Sequence, residues 1–187
     1  MGDYQLTILS PQGDAWDVTE RVSTLSWSGS VKRVSRQIEA VMATPNDGSL
    51  PELPCDLGNE LRFAVAGTQR FLGHIVTREK ATDASTTELT ALDRGRFLSG
   101  NEGWYTFSRT APEAAVRALC ADFGIPVGSL AETGVQVARK YPGVALSKMV
   151  DSLYTMAAEQ NGKRYLSRFN GAGELEVVEK PEAAALE

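Results

Sequence analysis

The sequence predicts an α+β protein: an N-terminal antiparallel β-barrel-like domain over residues 1–100, followed by a small α/β domain of two helices plus a β-hairpin over residues 101–182. Three observations carry that prediction. Apolar and polar side chains alternate through most of the first part, with turn-forming clusters between the runs. From Thr110 the apolar spacing changes to i, i+3, i+4, i+7, which is a helix face. The chain then ends on two more alternating runs around an Asn-Gly turn.

The strands come first. "YQLTILS" and "AWDVTERV" flank the turn "PQGD", and "TLSWSGSV" leads into "KRVSRQIEAVMA", where Val34, Arg36, Ile38, Ala40 and Met42 alternate with Ser35, Gln37, Glu39 and Val41. That length of period 2 predicts a long strand, and "TPNDGSLPELP", dense in Pro, Asn, Asp and Gly, predicts the loop that ends it. "NELRFAVAG" and "RFLGHIVTREK" read as a hairpin, and after the polar "ATDAST" the run "TELTALD" closes a series of about six strands.

The helices follow. "TAPE" offers Thr110 as an N-cap, a proline in the first turn and a glutamate three residues on, which predicts a helix over about 111–123 with Val116, Leu119, Cys120 and Phe123 on one face. A second helix is predicted from Ser147, with Val150, Leu153, Tyr154 and Ala157 in register and Asn161-Gly162 as its stop. One short strand, "VQVAR", lies between the helices, and "KRYLSRF", "NGAG" and "ELEVVEK" form the closing hairpin. Residues 183–187, within "AAALE", have the composition of a vector-encoded linker and take no part in the fold reading, so the natural chain is expected to continue.

Composition narrows the function. The 19 basic and 24 acidic residues give a net charge of -5, which does not favour phosphate backbones or anionic lipid. No apolar run approaches the roughly 20 residues of a membrane span, and the N-terminus lacks the basic start and apolar stretch of an export signal. A soluble chain without membrane insertion is expected. Cys55 and Cys120, far apart in the chain, read as reduced and buried thiols.

No constellation predicts catalysis, and none predicts a cofactor. His74 is the single histidine, so neither a zinc site nor a Ser-His-Asp arrangement can be assembled in the usual way. Acidic residues such as Asp47, Asp83 and Glu132 fall in turns or on polar faces, and "GAG" at 171–173 sits between strands instead of opening a helix. Lys32, Arg33 and Arg36 form one basic cluster, read as a solvated strand face or a subunit contact, with no specific nucleic acid expected. Asp93 ends the strand "TELTALD" and reads as an exposed carboxylate that accepts backbone hydrogen bonds from the following turn, a structural turn between the two domains.

The order of elements carries a resemblance. "FLGHIVTREK", "TALDRGRFL", "AAVRALCADFGIP" and "SKMVDSLYTMAAEQNGKRYLSRFNGAGEL", in that series, resemble the hub proteins of contractile phage tails, with the PBSX-type prophage and tailocin hubs most alike. The resemblance covers the chain to about residue 180 and implies a non-enzymatic baseplate hub that links tail tube to central spike. It further implies a homotrimer in the full-length protein, with the tube protein, the spike and other baseplate proteins as partners. Residence in the virion tail baseplate and assembly in the bacterial host cytoplasm follow from the same resemblance. In that setting the long strand, basic at one end, is the expected subunit contact, through Val34 and Ile38. A tail-associated peptidoglycan hydrolase and an unrelated soluble binding module stand as the alternatives.

Overall fold

The computed structural model describes residues 3–30, 33–80 and 85–180. Lys32, Asp83 and the 183–187 tail lie outside the described residues, as do the side chains of Arg33 and Val34. The protein is α+β, built mostly of antiparallel strands with three α-helices among the described residues. It forms two compact units: Met1–Arg94 with Asn170–Gly173, and Gly95–Phe169 with Glu174–Glu187.

The first unit is a seven-stranded antiparallel sheet. Its strands are β1 (Tyr4–Leu9), β2 (Ala15–Asp17), β3 (Val22–Ser30), β4 (Arg33–Ala43), β5 (Glu60–Val65), β6 (Thr68–Glu79) and β7 (Thr86–Asp93). Their order in the sheet is β2-β1-β5-β6-β7-β4-β3, so hydrogen bonding ends at β2 and β3 and does not close into the expected barrel. Closure needs the two end strands to pair, and β2 has only three residues. A 3-10 turn at Thr19–Arg21 takes up the rest of the run from which a longer strand was expected.

Alternation sets the core as predicted. Leu6 and Ile8 of β1, Ile38, Ala40 and Met42 of β4, Leu61 and Phe63 of β5, and Leu89 and Ala91 of β7 are all buried in one cluster. Each fully buried large side chain contributes roughly 1.5–3 kcal/mol. Between β5 and β6, Ala66 (φ 49°) and Gly67 (φ 72°) both adopt positive φ, the requirement of the tightest two-residue hairpin.

The second unit contains α1 (Gly95–Gly100), β8 (Glu102–Thr110), α2 (Pro112–Asp122), β9 (Val127–Leu130), β10 (Val137–Ala145), α3 (Leu146–Asn161), β11 (Tyr165–Phe169) and β12 (Leu175–Glu179). β8 and β10 make a two-stranded antiparallel ribbon. β11 and β12 form the expected hairpin, and β9 joins β12 in parallel. α2 and α3 bury the predicted stripes, with Val116, Leu119 and Cys120 on one and Val150, Leu153, Tyr154 and Ala157 on the other, and α3 also buries Leu146 and Met149. α3 ends as predicted, with Gly162 at φ 75° and its N–H bonded to the Ala158 carbonyl at 2.8 Å.

Three details differ from the sequence reading. α1, β8 and β9 were not anticipated. Phe123 stands at the end of α2, 37% exposed, outside the buried stripe. Thr110 does not cap α2: Ala111 holds the cap position without a side-chain bond, and Glu113 is drawn instead to Thr133, whose hydroxyl donates to it at 3.0 Å. Pro112 in the first turn removes one of the amides that a cap would have satisfied, which weakens the need for one.

Candidate functional site

Asp93 is fully buried, contrary to the exposed position expected from the sequence. Its partner comes from 57 residues earlier in the chain: Arg36 of β4 donates Nε to Asp93 Oδ2 at 3.0 Å. The same guanidinium donates to the Arg70 carbonyl at 3.3 Å and to the Asn170 carbonyl at 3.2 Å. Its carbon lies 5.9 Å from the ring centres of both Trp27 and Phe71. Arg36 therefore joins three separate chain segments while sitting against two aromatic faces.

The local sequence explains how this is possible. Inward and outward residues alternate on β4, so Arg36 shares a face with Ile38, Ala40 and Met42, near the end of the strand. A buried carboxylate needs a cation and further hydrogen bonds, and the planar fork of arginine can serve several acceptors at once. Gly171 admits the remote turn: a Cβ there would collide with the Gln69 carbonyl oxygen, and Gln69 in turn donates its side-chain amide to the Gly171 carbonyl. Arg36 is thus tied into its own unit by bonds to three chain segments and is not left to solvent.

Ile38, expected at a subunit contact with Val34, has no exposed surface. It is spent on the core cluster because its neighbours on β4 share the inward face. The backbone of Val34 belongs to β4, and its side chain lies outside the described residues. The more open feature of this unit is β3, which among the described residues pairs with β4 alone and presents a serine-rich stretch along the sheet edge. Trp27 on β3, although 45% exposed, packs its ring 5.7 Å from Phe63.

The second unit has a different surface in the β8–β10 ribbon. Its inner face is aromatic: Tyr105 stacks on Phe107 at 5.8 Å, and Phe107 meets Tyr141 edge-on at 6.3 Å. Tyr105 donates to Asp122 of α2 at 2.6 Å, and Tyr141 donates to Ser152 of α3 at 3.2 Å. Desolvation and that carboxylate together push the Tyr105 phenol up to about 12. The outer face carries Trp104 opposite Pro142 and Thr106 opposite Lys140, and Trp104 is 80% exposed.

The remaining candidates do not converge on chemistry. His74 lies on β6, paired with Glu60 and Leu92. Cys55 and Cys120 are buried free thiols, as read from the sequence. Burial raises both, Cys120 to about 11, which disfavours the reactive thiolate. Among the described residues no group of three His, Cys, Asp or Glu side chains is placed to hold a metal ion, and no helix is long and apolar enough to cross a membrane.

Comparison with known proteins gives the context for these features. A family model described as YQBQ-like matches residues 25–185. The phage-like element PBSX protein XkdQ of Bacillus subtilis (strain 168) is 29% identical over 111 residues, covering 59% of this chain and 33% of that protein. Among solved structures, the 43 kDa tail protein of prophage MuSo2 from Shewanella oneidensis superposes with a TM-score of 0.72 at 16% identity, over 97% of this chain and 54% of that one. A tail protein from Neisseria meningitidis MC58 gives a TM-score of 0.66 at 15% identity, over 93% of this chain and 50% of that one. The chain thus spans about half the length of the similar structures and a third of the sequence relative.

Proposed function

This chain belongs to the YQBQ-like family, and from that premise we propose that it is a structural component of a phage tail, acting at the baseplate as the hub between tail tube and central spike. The observation that carries the reading is the fold shared over 97% of the chain with a prophage tail protein. The sequence relative from a phage-like element supports it independently.

In this reading the full-length protein is a homotrimer, in contact with the tube protein, the spike and other baseplate proteins, assembled in the cytoplasm of the bacterial host. The open β3 edge supplies the physical means of subunit contact, since an unpaired strand edge invites another chain. In the same reading Asp93, to which Arg36 donates at the end of β7, serves as the structural turn where the chain leaves the first sheet.

Antibody labelling of purified tail particles in the electron microscope tests the reading. Label is expected at the baseplate end of the tail. Label spread along the tube, or particles without label, would overturn the hub assignment. Light scattering on the full-length protein checks the assembly, with three copies expected.

A further inference from the structure

We propose that the β8–β10 ribbon is a docking edge for an extended, acidic segment of a partner protein, which adds as a strand along β8 and covers Trp104. This goes beyond the tail reading and does not depend on it.

Three observations meet on the ribbon. The first is an open edge. Among the described residues β8 pairs only with β10, and β10 only with β8. The β10 edge is interrupted by Pro142, which lacks an N–H, and by Gly143 at φ 64°, beside a register shift between Pro142 and Val144. Proline removes a ladder hydrogen bond, so the β8 edge is the better template for strand addition.

The second is Trp104. The alternation that turns Tyr105 and Phe107 inward turns Trp104 outward, and its neighbours there are Pro142 and Gly143. A large aromatic ring left 80% exposed on a strand is the kind of side chain that dominates a protein interface once covered.

The third is charge. The two strands carry Arg109, Arg139 and Lys140 against a single carboxylate, Glu102, on a chain whose net charge is -5. All three cations are exposed, and none belongs to an ion pair among the described residues. A partner strand with carboxylates at alternate positions would answer Lys140 on the face that carries Trp104. A second copy of the chain fits poorly, because β8 against β8 would bring both sets of cations onto one sheet. Nucleic acid fits less well than a peptide, since a single exposed aromatic gives no run of stacking surfaces and a strand edge offers backbone pairing that bases do not use.

The test is calorimetric titration of the whole chain with a nine-residue peptide of alternating Glu and Val, matched to the nine residues of β8. Binding is expected that weakens as salt rises and falls about tenfold or more in Trp104→Ala. The Arg139→Glu, Lys140→Glu double variant should lose binding to the same degree, and Lys140→Glu alone to a smaller one. All these positions are exposed, so unfolding midpoints should stay at the wild-type value. The proposal is overturned by no binding, by equal binding in the variants, or by preference for a Lys-Val peptide or a short oligothymidine. Self-association that disappears in Trp104→Ala would also overturn it, in favour of a second copy.

Discussion

Both units place a tryptophan on a strand near basic side chains, and they use the pair in opposite ways. In the first, Arg36 sits against Trp27 and Phe71 and gives its hydrogen-bonding groups to Asp93, Arg70 and Asn170. In the second, Trp104 stands in solvent near Lys140, with no ion pair among the described residues for Lys140, Arg139 or Arg109. The same residue types therefore mean structure where a buried carboxylate faces them, and an available surface where none does. Composition cannot separate the two cases, because the difference lies in what crosses over from distant sequence.

The comparison breaks most sharply at Arg36. Arg36→Ala leaves the fully buried carboxylate of Asp93 without its cation, and a loss of about 3–5 kcal/mol is expected in urea unfolding. If the loss came out below about 1 kcal/mol, the node would be ornament and the contrast with Trp104 would vanish. An Arg36→Met, Asp93→Leu double variant should recover most of the loss, since neither charge is then stranded.

Ile38→Ala calibrates that figure against plain apolar packing on the same strand. Its side chain has no exposure, and about 3 kcal/mol should be lost, again by urea unfolding. An assembly defect from this substitution would follow from the damaged core and would say nothing about subunit contacts.

Tyr154 gives the second unit its own satisfied polar group. It is buried and donates to the Ala131 carbonyl at 3.1 Å, so Tyr154→Phe should cost about 1 kcal/mol at neutral pH. Burial, first, and the nearby Glu113 raise its phenol above the ordinary value of 10.0. The native state therefore holds the proton more tightly than the unfolded chain, and its stability is complete below pH 10 and lost as pH rises above it. Cys120, raised by burial from 9.0 to about 11, adds a loss of the same sign that begins near pH 9. Unfolding midpoints followed from pH 8 to 11 should fall, less steeply in Tyr154→Phe than in the wild type.

Trp104→Ala is the smallest effect. Exposed as it is, removal should move stability by no more than about 0.5 kcal/mol, and thermal unfolding checks it. A larger loss would show that the ring braces the ribbon, and the two tryptophans would then be alike.

How far the sequence could be read follows from the range of each interaction. The alternation of β4 and β7, the β5–β6 and β11–β12 hairpins and the stripes of α2 and α3 are local patterns, and they appeared where periodicity placed them, Phe123 at the end of α2 excepted. α1 was missed because six residues, with a glycine at each end, give too short a period to register. β8 was missed although Tyr105 and Phe107 alternate with Trp104 and Thr106, because apolar rings stand on both faces and blur the period. β9 is four residues that become a strand through parallel pairing with β12, some 45 residues on, and nothing local announces that.

By itself the sequence determined what short-range physics can fix: the strand and helix periods, the β5–β6 hairpin, the stop at Asn161-Gly162, the burial of both cysteines and the α+β class. It set the hairpin connection at Gly67–Gln69, one residue beyond the Ala66-Gly67 turn that forms. Tertiary structure alone decided that the sheet stays open between β2 and β3, since ladder closure depends on which strands meet and not on how each is patterned. It also decided that Asp93 is buried on Arg36, that Asn170–Gly173 belongs with the first unit, and that Trp104 is left exposed. Each of those turns on a contact, or a missing one, between residues far apart in the chain, and the energy of a charge or an aromatic ring is set by what surrounds it.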